Sequence, residues 1–71
     1  MKYLIIIEKT EKGYSAYSPD LTGVVAAGFT KQEVEKSMQE AIKFHLESLK
    51  AEGEEIPLPS SYSTYLDIEA A

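Results

Sequence analysis

Four carboxylates, Glu8, Asp20, Glu40 and Asp67, are the most obvious candidates for chemistry in this sequence. Carboxylates that converge can hold two divalent metal ions and so cleave a phosphodiester bond. These four fall at the end of one predicted strand, in a Pro-Asp turn, on the polar face of a predicted helix and late in a final strand. Nothing in that placement makes them converge, and solvated surface is the favoured interpretation. We therefore predict neither a metal site nor a cofactor.

His45 is the only histidine, and it falls within the apolar stripe of a predicted helix. It could accept a proton or make an interface sensitive to pH. The favoured alternative is a partly buried histidine that is hydrogen-bonded to its surroundings. A serine nucleophile has no support because the sequence contains no Gly-x-Ser-x-Gly turn. Cysteine is absent, which excludes thiolate chemistry. We predict that the protein is not an enzyme and has no catalytic residues.

Aromatic side chains are stronger candidates, and they point to protein contacts. Phe44 lies on the flank of the predicted helix, off its apolar stripe, where it either anchors a partner or packs against a loop. Tyr14, Tyr17, Tyr62 and Tyr65 lie in predicted strands. Tyrosine suits interfaces, although strand tyrosines also simply fill the pleated face of a sheet.

The charge of the chain favours a protein partner over a nucleic acid. Twelve acidic residues face seven basic ones, for a formal net charge of -5, and every basic residue is lysine. An acidic surface repels phosphate, and without arginine the chain lacks the forked donor that reads phosphates and bases. A basic protein partner would be electrostatically complementary, although the same charge also serves solubility. Direct binding of nucleic acid is not expected.

Four strands and one helix are predicted to carry these residues. Residues 3–7 are apolar on both faces, which predicts a central strand covered on both sides. Polar and glycine-containing stretches at 9–13 and 19–23 predict turns. Further strands are predicted at 14–18 and 24–27, and alternating residues predict a last one at 61–69.

The helix is predicted over residues 31–52. Thr30 and Glu33 have the spacing of an N-terminal capping box, and Gly53 is suited to the position after the C-terminus. Apolar or uncharged residues recur at helical spacing and form one stripe. That stripe consists of Val34, Met38, Ala41, Ile42, His45, Leu46 and Leu49.

The order β-β-β-α-β predicts an α+β fold with one helix packed on a four-stranded mixed sheet. A right-handed crossover would place the last strand beside the first, giving the sheet order 3-2-1-4. One helix covers only one face of this sheet, and a domain of 71 residues without disulfides has a marginal core. We therefore expect a homodimer or tetramer. The apolar amino terminus is too short to span a membrane, so a cytoplasmic protein with no membrane partner is expected.

One long motif resembles the HicB-like antitoxin domains. It runs Gly13-Tyr14-Ser15-Ala16-Tyr17-Ser18-Pro19-Asp20-Leu21 and continues with Gly23, Ala26, Gly28 and Thr30. Residues 40–42, His45-Leu46 and the Ile-Pro-Leu-Pro-Ser stretch at 56–60 extend the match over nearly the whole chain. Thr22 and Val24 stand where proline and cysteine are often found in that family.

The resemblance implies a partial RNase H-like fold and a protein that neutralises a HicA-type toxin, a small basic ribonuclease that cleaves mRNA, by covering its active face. Contacts are expected at the sheet edge, the turn at 18–23 and the helix flank. The candidate partner-binding residues are Tyr17, Pro19, Asp20, Leu21, Phe44 and Tyr65. Many similar proteins carry a C-terminal DNA-binding domain; here a single domain, 1–71, without operator binding is expected. The alternatives are an orphan homo-oligomer with a structural or regulatory role and a metal-dependent nuclease.

Overall fold

A computed structural model describes residues 1–70 as an α+β fold. A three-stranded antiparallel sheet packs against one helix, in the strand order β1-β2-β3. The elements are β1 (Ile6–Lys9), β2 (Tyr14–Ser18), β3 (Leu21–Gly28) and α1 (Lys31–Ala51). The two predicted hairpins are confirmed, because β1 pairs with β2 and β2 with β3, both antiparallel.

The turns fit the residues that form them. The hairpin between β1 and β2 is closed by a hydrogen bond from the Thr10 amide to the Gly13 carbonyl oxygen (2.8 Å) and by one from the Gly13 amide to the Thr10 hydroxyl (3.1 Å). The second turn is shorter than predicted, because β3 begins at Leu21 directly after Pro19 and Asp20. Gly23, predicted as turn, lies inside β3 with a φ of +83°, a conformation that favours glycine.

The core lies between the sheet and α1. Its buried members come from β2, β3 and one face of the helix, and they are Ala16, Leu21, Val24, Val34 and Met38. Ile5, Ile7, Ala41, Ile42 and Leu46 are half-buried and pack against them. The predicted apolar stripe of the helix is thus confirmed as the face that meets the sheet, and burial of this stripe is what holds α1 in place.

The helix begins at Lys31 as predicted and ends at Ala51, one residue before the predicted end. The Thr30 hydroxyl accepts a hydrogen bond from the Glu33 amide (3.1 Å), and a Glu33 carboxylate oxygen accepts one from the Phe29 amide (3.3 Å). The second bond goes to the residue before the cap and not to Thr30 itself. At the other end Gly53 has a φ of +73°, and amides there bond back to carbonyl oxygens of the last turn.

Replacing Thr30 with alanine is expected to lower the free energy of unfolding by about 1 kcal/mol, because the helix loses the side chain that satisfies a free amide. Urea denaturation followed by circular dichroism measures the change. Thr30→Ser provides the matched control, because it keeps a hydroxyl that can accept the same hydrogen bond and should leave the midpoint nearly unchanged. Equal midpoints for the two variants would contradict the role of the cap.

The predicted fourth strand is not confirmed. Residues 61–69 form no strand and make no sheet pairing within the part of the chain that the structure describes. The prediction for the first strand is also wrong in two respects. It covers Ile6–Lys9 instead of 3–7, and it lies at the edge of the sheet instead of the centre, which β2 occupies. Without a neighbour on its outer side, β1 leaves a row of backbone groups unpaired.

Candidate partner-binding surface

The sheet face turned away from α1 carries an apolar row. Partners in antiparallel strands share a face, and the register pairs Ile6 with Tyr17 and Tyr17 with Val25. Tyr17 and Val25 are exposed, whereas Ala16 and Val24 beside them are buried under the helix. No described element covers this face. It therefore offers two large hydrophobic side chains to a partner, one on the central strand β2 and one on the edge strand β3.

A second apolar surface follows the edge of the sheet at β1. It is a groove of about 540 Å³ between the chain leading into β1 and the neighbouring face of the helix. Tyr3, Ile5 and Ile7 form one wall, and Met38 and Ile42 form the other. The helix sits over β3 and β2, so it leaves the edge of the sheet at β1 open.

The turn between β2 and β3 holds the chain that follows the helix. The two carboxylate oxygens of Asp20 accept four hydrogen bonds, from the amides of Ser60 and Ser61 (3.2 Å each) and from their hydroxyls (2.9 Å each). A few residues earlier the Tyr3 hydroxyl donates to the carbonyl oxygen of Pro57. We call the four bonds to Asp20 the Asp20 clamp. It joins Asp20 to residues that lie 40 and 41 positions later in the sequence.

The clamp changes the acidity of Asp20. Partial desolvation alone would raise the pKa of this carboxyl, but the hydrogen bonds from Ser61 and Ser60 stabilise the charged form and together lower the pKa below its ordinary value. A carboxyl whose pKa is lower in the folded state stabilises that state above its unfolded pKa. The contribution is lost as the pH falls through the lowered folded pKa. The clamp is therefore complete at neutral pH.

The clamp is expected to open only in acid. As the pH falls below the ordinary aspartate range of about 4, protonation of Asp20 removes the charged acceptor. The Ser60 and Ser61 amides should then lose their protection against exchange, measured relative to the intrinsic exchange rate at each pH. Protection factors measured from pH 7 downwards test this, and Asp20→Asn should show at neutral pH the low protection that the native chain shows only in acid. Asp67→Asn, at an exposed carboxylate, is the control. Native protection in Asp20→Asn would contradict the clamp.

Beyond the clamp the chain extends into solvent. Tyr65 is 100 % exposed, Leu66 74 % and Ile68 80 %, and Tyr62 is also largely exposed. We call residues 62–70 the tail. The molecule measures 52 Å in its longest direction but only 27 and 17 Å in the others, as expected when an extended segment leaves a small domain. The tail therefore exposes a run of large apolar side chains to solvent.

Phe44 lies on the exposed flank of α1, as predicted from the helical spacing. Its neighbours are Val25 on the last strand of the sheet and the half-buried His45, which line a shallow depression with it. Phe44 thus lies beside the β3 edge of the sheet, opposite the edge formed by β1. His45 contributes to the wall of this depression beside the core.

The structure brings some of the predicted contact residues together and removes one. Tyr17, Pro19 and Asp20 lie at or next to the second turn. Asp20 is hydrogen-bonded to the segment that leads to Tyr65. Leu21, however, is only 1 % exposed and is a core residue, because the strand that begins there directs its side chain under the helix. Leu21 therefore presents no surface to a partner.

Sequence reasoning also missed features of this surface. Asp20 was predicted as solvated surface in a Pro-Asp turn, but its oxygens accept hydrogen bonds from Ser60 and Ser61. Such a long-range contact has no local signal. The exposure of Val25 did have one, because alternation along β3 turns it away from Val24 and Ala26. Ile6 was predicted to lie in a central strand that is covered on both sides, but it lies in the edge strand β1.

The carboxylates singled out in the sequence do not form a metal-binding cluster among residues 1–70. Among residues 1–70, no three side chains of His, Cys, Asp or Glu lie close enough together to hold a metal ion. The Asp20 oxygens are engaged by serines. No helix in the same range is long and apolar enough to cross a membrane.

Comparison with known proteins places this arrangement in a family. Residues 3–70 match the model of the HicB-like antitoxins of bacterial toxin-antitoxin systems. The chain belongs to the HicB-like antitoxin family. The resemblance read from the glycine-containing motif is therefore confirmed over nearly the full length of the chain.

Relatives of this HicB-like chain vary in length. An uncharacterised 14.9 kDa protein of Haemophilus phage HP1 is 37% identical over 67 residues, which are 94% of this chain and 50% of the phage protein. A UPF0150 protein of Thermoplasma acidophilum is 45% identical over 58 residues, 80% of this chain and 84% of that protein. The chain thus spans about half of the phage protein but most of the Thermoplasma protein.

A solved structure is also similar to this HicB-like chain. The match is to a chain of a HicA3 and HicB3 toxin-antitoxin complex, with a TM-score of 0.71 and 38% identity over 83% of this chain and 70% of that chain. The α+β arrangement of helix and antiparallel sheet therefore occurs in an antitoxin complex.

Proposed function

We propose that this protein is an antitoxin that binds a small basic HicA-like ribonuclease and neutralises it by covering its active face. The observation that carries the proposal is the structural similarity, at 38% identity, to a chain of a HicA3 and HicB3 complex. Membership of the antitoxin family supports it. Its role would be to bind a protein without catalysing a reaction.

The charge of the chain supports a basic partner. A net charge of -5 in 71 residues gives a negative potential over a small molecule, which steers a basic protein to it and raises the association rate. A toxin that binds RNA has to present a basic surface, and an acidic inhibitor is attracted to the same surface. For the same reason we propose that this domain does not itself bind nucleic acid.

The exposed aromatic residues would supply the affinity. Buried aromatic anchors contribute most of the binding energy at protein interfaces, whereas charges at the rim mainly affect the rate of association. We assign partner contacts to Tyr17, Pro19 and Asp20 at the second turn, to Phe44 on the helix flank and to Tyr65 in the tail. Leu21 supports the turn from the inside.

The test is inhibition of a purified HicA-like toxin, sought as a small basic protein encoded beside this one. RNA cleavage by that toxin should stop when one equivalent of the antitoxin is added. Phe44→Ala should weaken inhibition at least about 10-fold, corresponding to a hot-spot loss above roughly 1.4 kcal/mol. Glu47→Ala, a nearby exposed position on the same helix, is the matched control and should keep full inhibition. Undiminished RNA cleavage at saturating antitoxin would refute the proposal.

A second candidate function is favoured by the exposed tail and the open sheet face. Both would be covered in an orphan homo-oligomer that acts structurally or in regulation without a toxin. In that case the purified protein would self-associate, and the neighbouring basic protein would neither bind it nor be inhibited by it.

A further inference from the structure

Two exposed surfaces of the same chain are complementary in their chemistry. One is the apolar groove beside the unpaired outer edge of β1, and the other is the extended, exposed tail, residues 62–70. An edge strand with free backbone groups pairs readily with any extended segment that approaches it. The edge beside the groove can therefore accept an additional strand, and the tail can supply one.

The tail suits this groove in the pattern of its apolar residues. Tyr62, Leu66 and Ile68 share one face of an extended chain, together with Thr64. Laid along β1, that face would cover the groove side chains Ile5 and Ile7, while the backbone completed the sheet.

The contacts of the preceding segment direct the tail away from the groove of its own chain. Because β2 is antiparallel to β1, the turn with Asp20 lies at the end of the sheet where β1 begins. The chain first meets Tyr3 through Pro57 and then reaches Asp20 through Ser60 and Ser61. It thus crosses the end of the sheet from β1 towards the second turn, leaving the outer edge of β1 behind.

We propose that the tail of one copy forms the fourth strand of a second copy, and that the second copy returns its own tail in exchange. Each tail pairs with the outer edge of β1 and fills the groove against Met38 and Ile42. The Asp20 clamp sets the point from which the tail leaves. This exchange would restore the interior position of the first strand that its apolar residues indicate. The partner is a second copy of this chain, independent of any toxin.

The oligomeric state of the purified chain is the first test. Sedimentation equilibrium should give a dimer or a multiple of it, and the double variant Leu66→Asp/Ile68→Asp should be a monomer, because both charges would enter the groove. The control Ser63→Asp/Asp67→Ser exchanges polar residues on the opposite face at unchanged net charge and should remain a dimer. Circular dichroism checks that all variants fold, which is expected because the tail lies outside the core.

Cross-linking identifies the occupant of the groove. The natural chain has no cysteine, so introduced cysteines are unique. Gln39 lines the groove and Ser37 lies on the other side of the helix. Gln39→Cys in one tagged copy and Leu66→Cys in a second, coexpressed copy should be joined by a short bismaleimide, whereas Ser37→Cys should not. A monomeric native chain, or a Gln39→Cys/Leu66→Cys chain that cross-links only within itself, would overturn the proposal.

Discussion

Leu21→Ala is expected to lower the free energy of unfolding by about 2–5 kcal/mol, the largest effect of any single change considered for this chain. Leu21 is 1 % exposed and among the largest fully buried side chains, so its truncation removes buried apolar area and leaves a cavity. A core of this size rarely supplies more than about 3–5 kcal/mol in total. The isolated variant should therefore be largely unfolded at room temperature.

Thermal or urea denaturation followed by circular dichroism measures this change. Leu58→Ala is the matched control, because the same truncation at an exposed leucine should shift stability by no more than about 0.5 kcal/mol. The comparison also separates stability from binding. If Leu21→Ala kept native stability and lost only toxin binding, Leu21 would be a contact residue after all, and its assignment to the core would be wrong.

Gly13→Ala is expected to destabilise the fold by about 1–3 kcal/mol, because its Cβ has no room. A Cβ built there would lie 2.3 Å from the carbonyl oxygen of Gly28 and 3.0 Å from the Cα of Phe29. Both are backbone atoms, which cannot turn aside as a flexible side chain does. The first hairpin would have to separate from the end of β3, next to the start of the helix.

Gly23→Ala serves as the control for this prediction. Nothing lies within 4 Å of a Cβ at Gly23, but its φ of +83° disfavours any side chain, so a cost of about 1 kcal/mol is expected. Gly13 has no positive φ, and without the clash alanine there would stabilise the fold slightly by restricting the unfolded chain. A melting temperature for Gly13→Ala at or above that of the native chain would contradict the steric explanation.

Two glycines of the family motif have a common structural explanation. Gly13 approaches the carbonyl group of Gly28, and a Cβ at Gly28 would in turn lie 2.9 Å from the Val34 amide nitrogen. Hairpin, last strand and first helical turn therefore meet at one point where side chains do not fit. In the motif that resembles the HicB-like antitoxins, Gly13 and Gly28 are thus required by the packing of the domain.

The candidate surface could be predicted only in part, for physical reasons that differ between residues. Phe44 was correctly placed on the exposed flank because helical periodicity alone decides the direction of its side chain. Leu21 was misplaced because proline, aspartate and glycine around it indicate a turn, while its burial depends on where the next strand begins. The bonds of Asp20 to Ser60 and Ser61 depend on chain segments meeting in space, which local patterns do not encode.

The sequence by itself determined the helix, its caps, its core face, the two hairpins and the family, because each rests on short-range periodicity, turn residues or fixed motif spacing. Only the tertiary structure decided the position of the first strand in the sheet and the course of residues 61–69. The alternating pattern at 61–69 predicts a strand but not its partner, since pairing is a long-range choice between equivalent edges. In this chain the four hydrogen bonds of the Asp20 clamp fix the point at which the tail leaves the domain, and no local pattern predicts them.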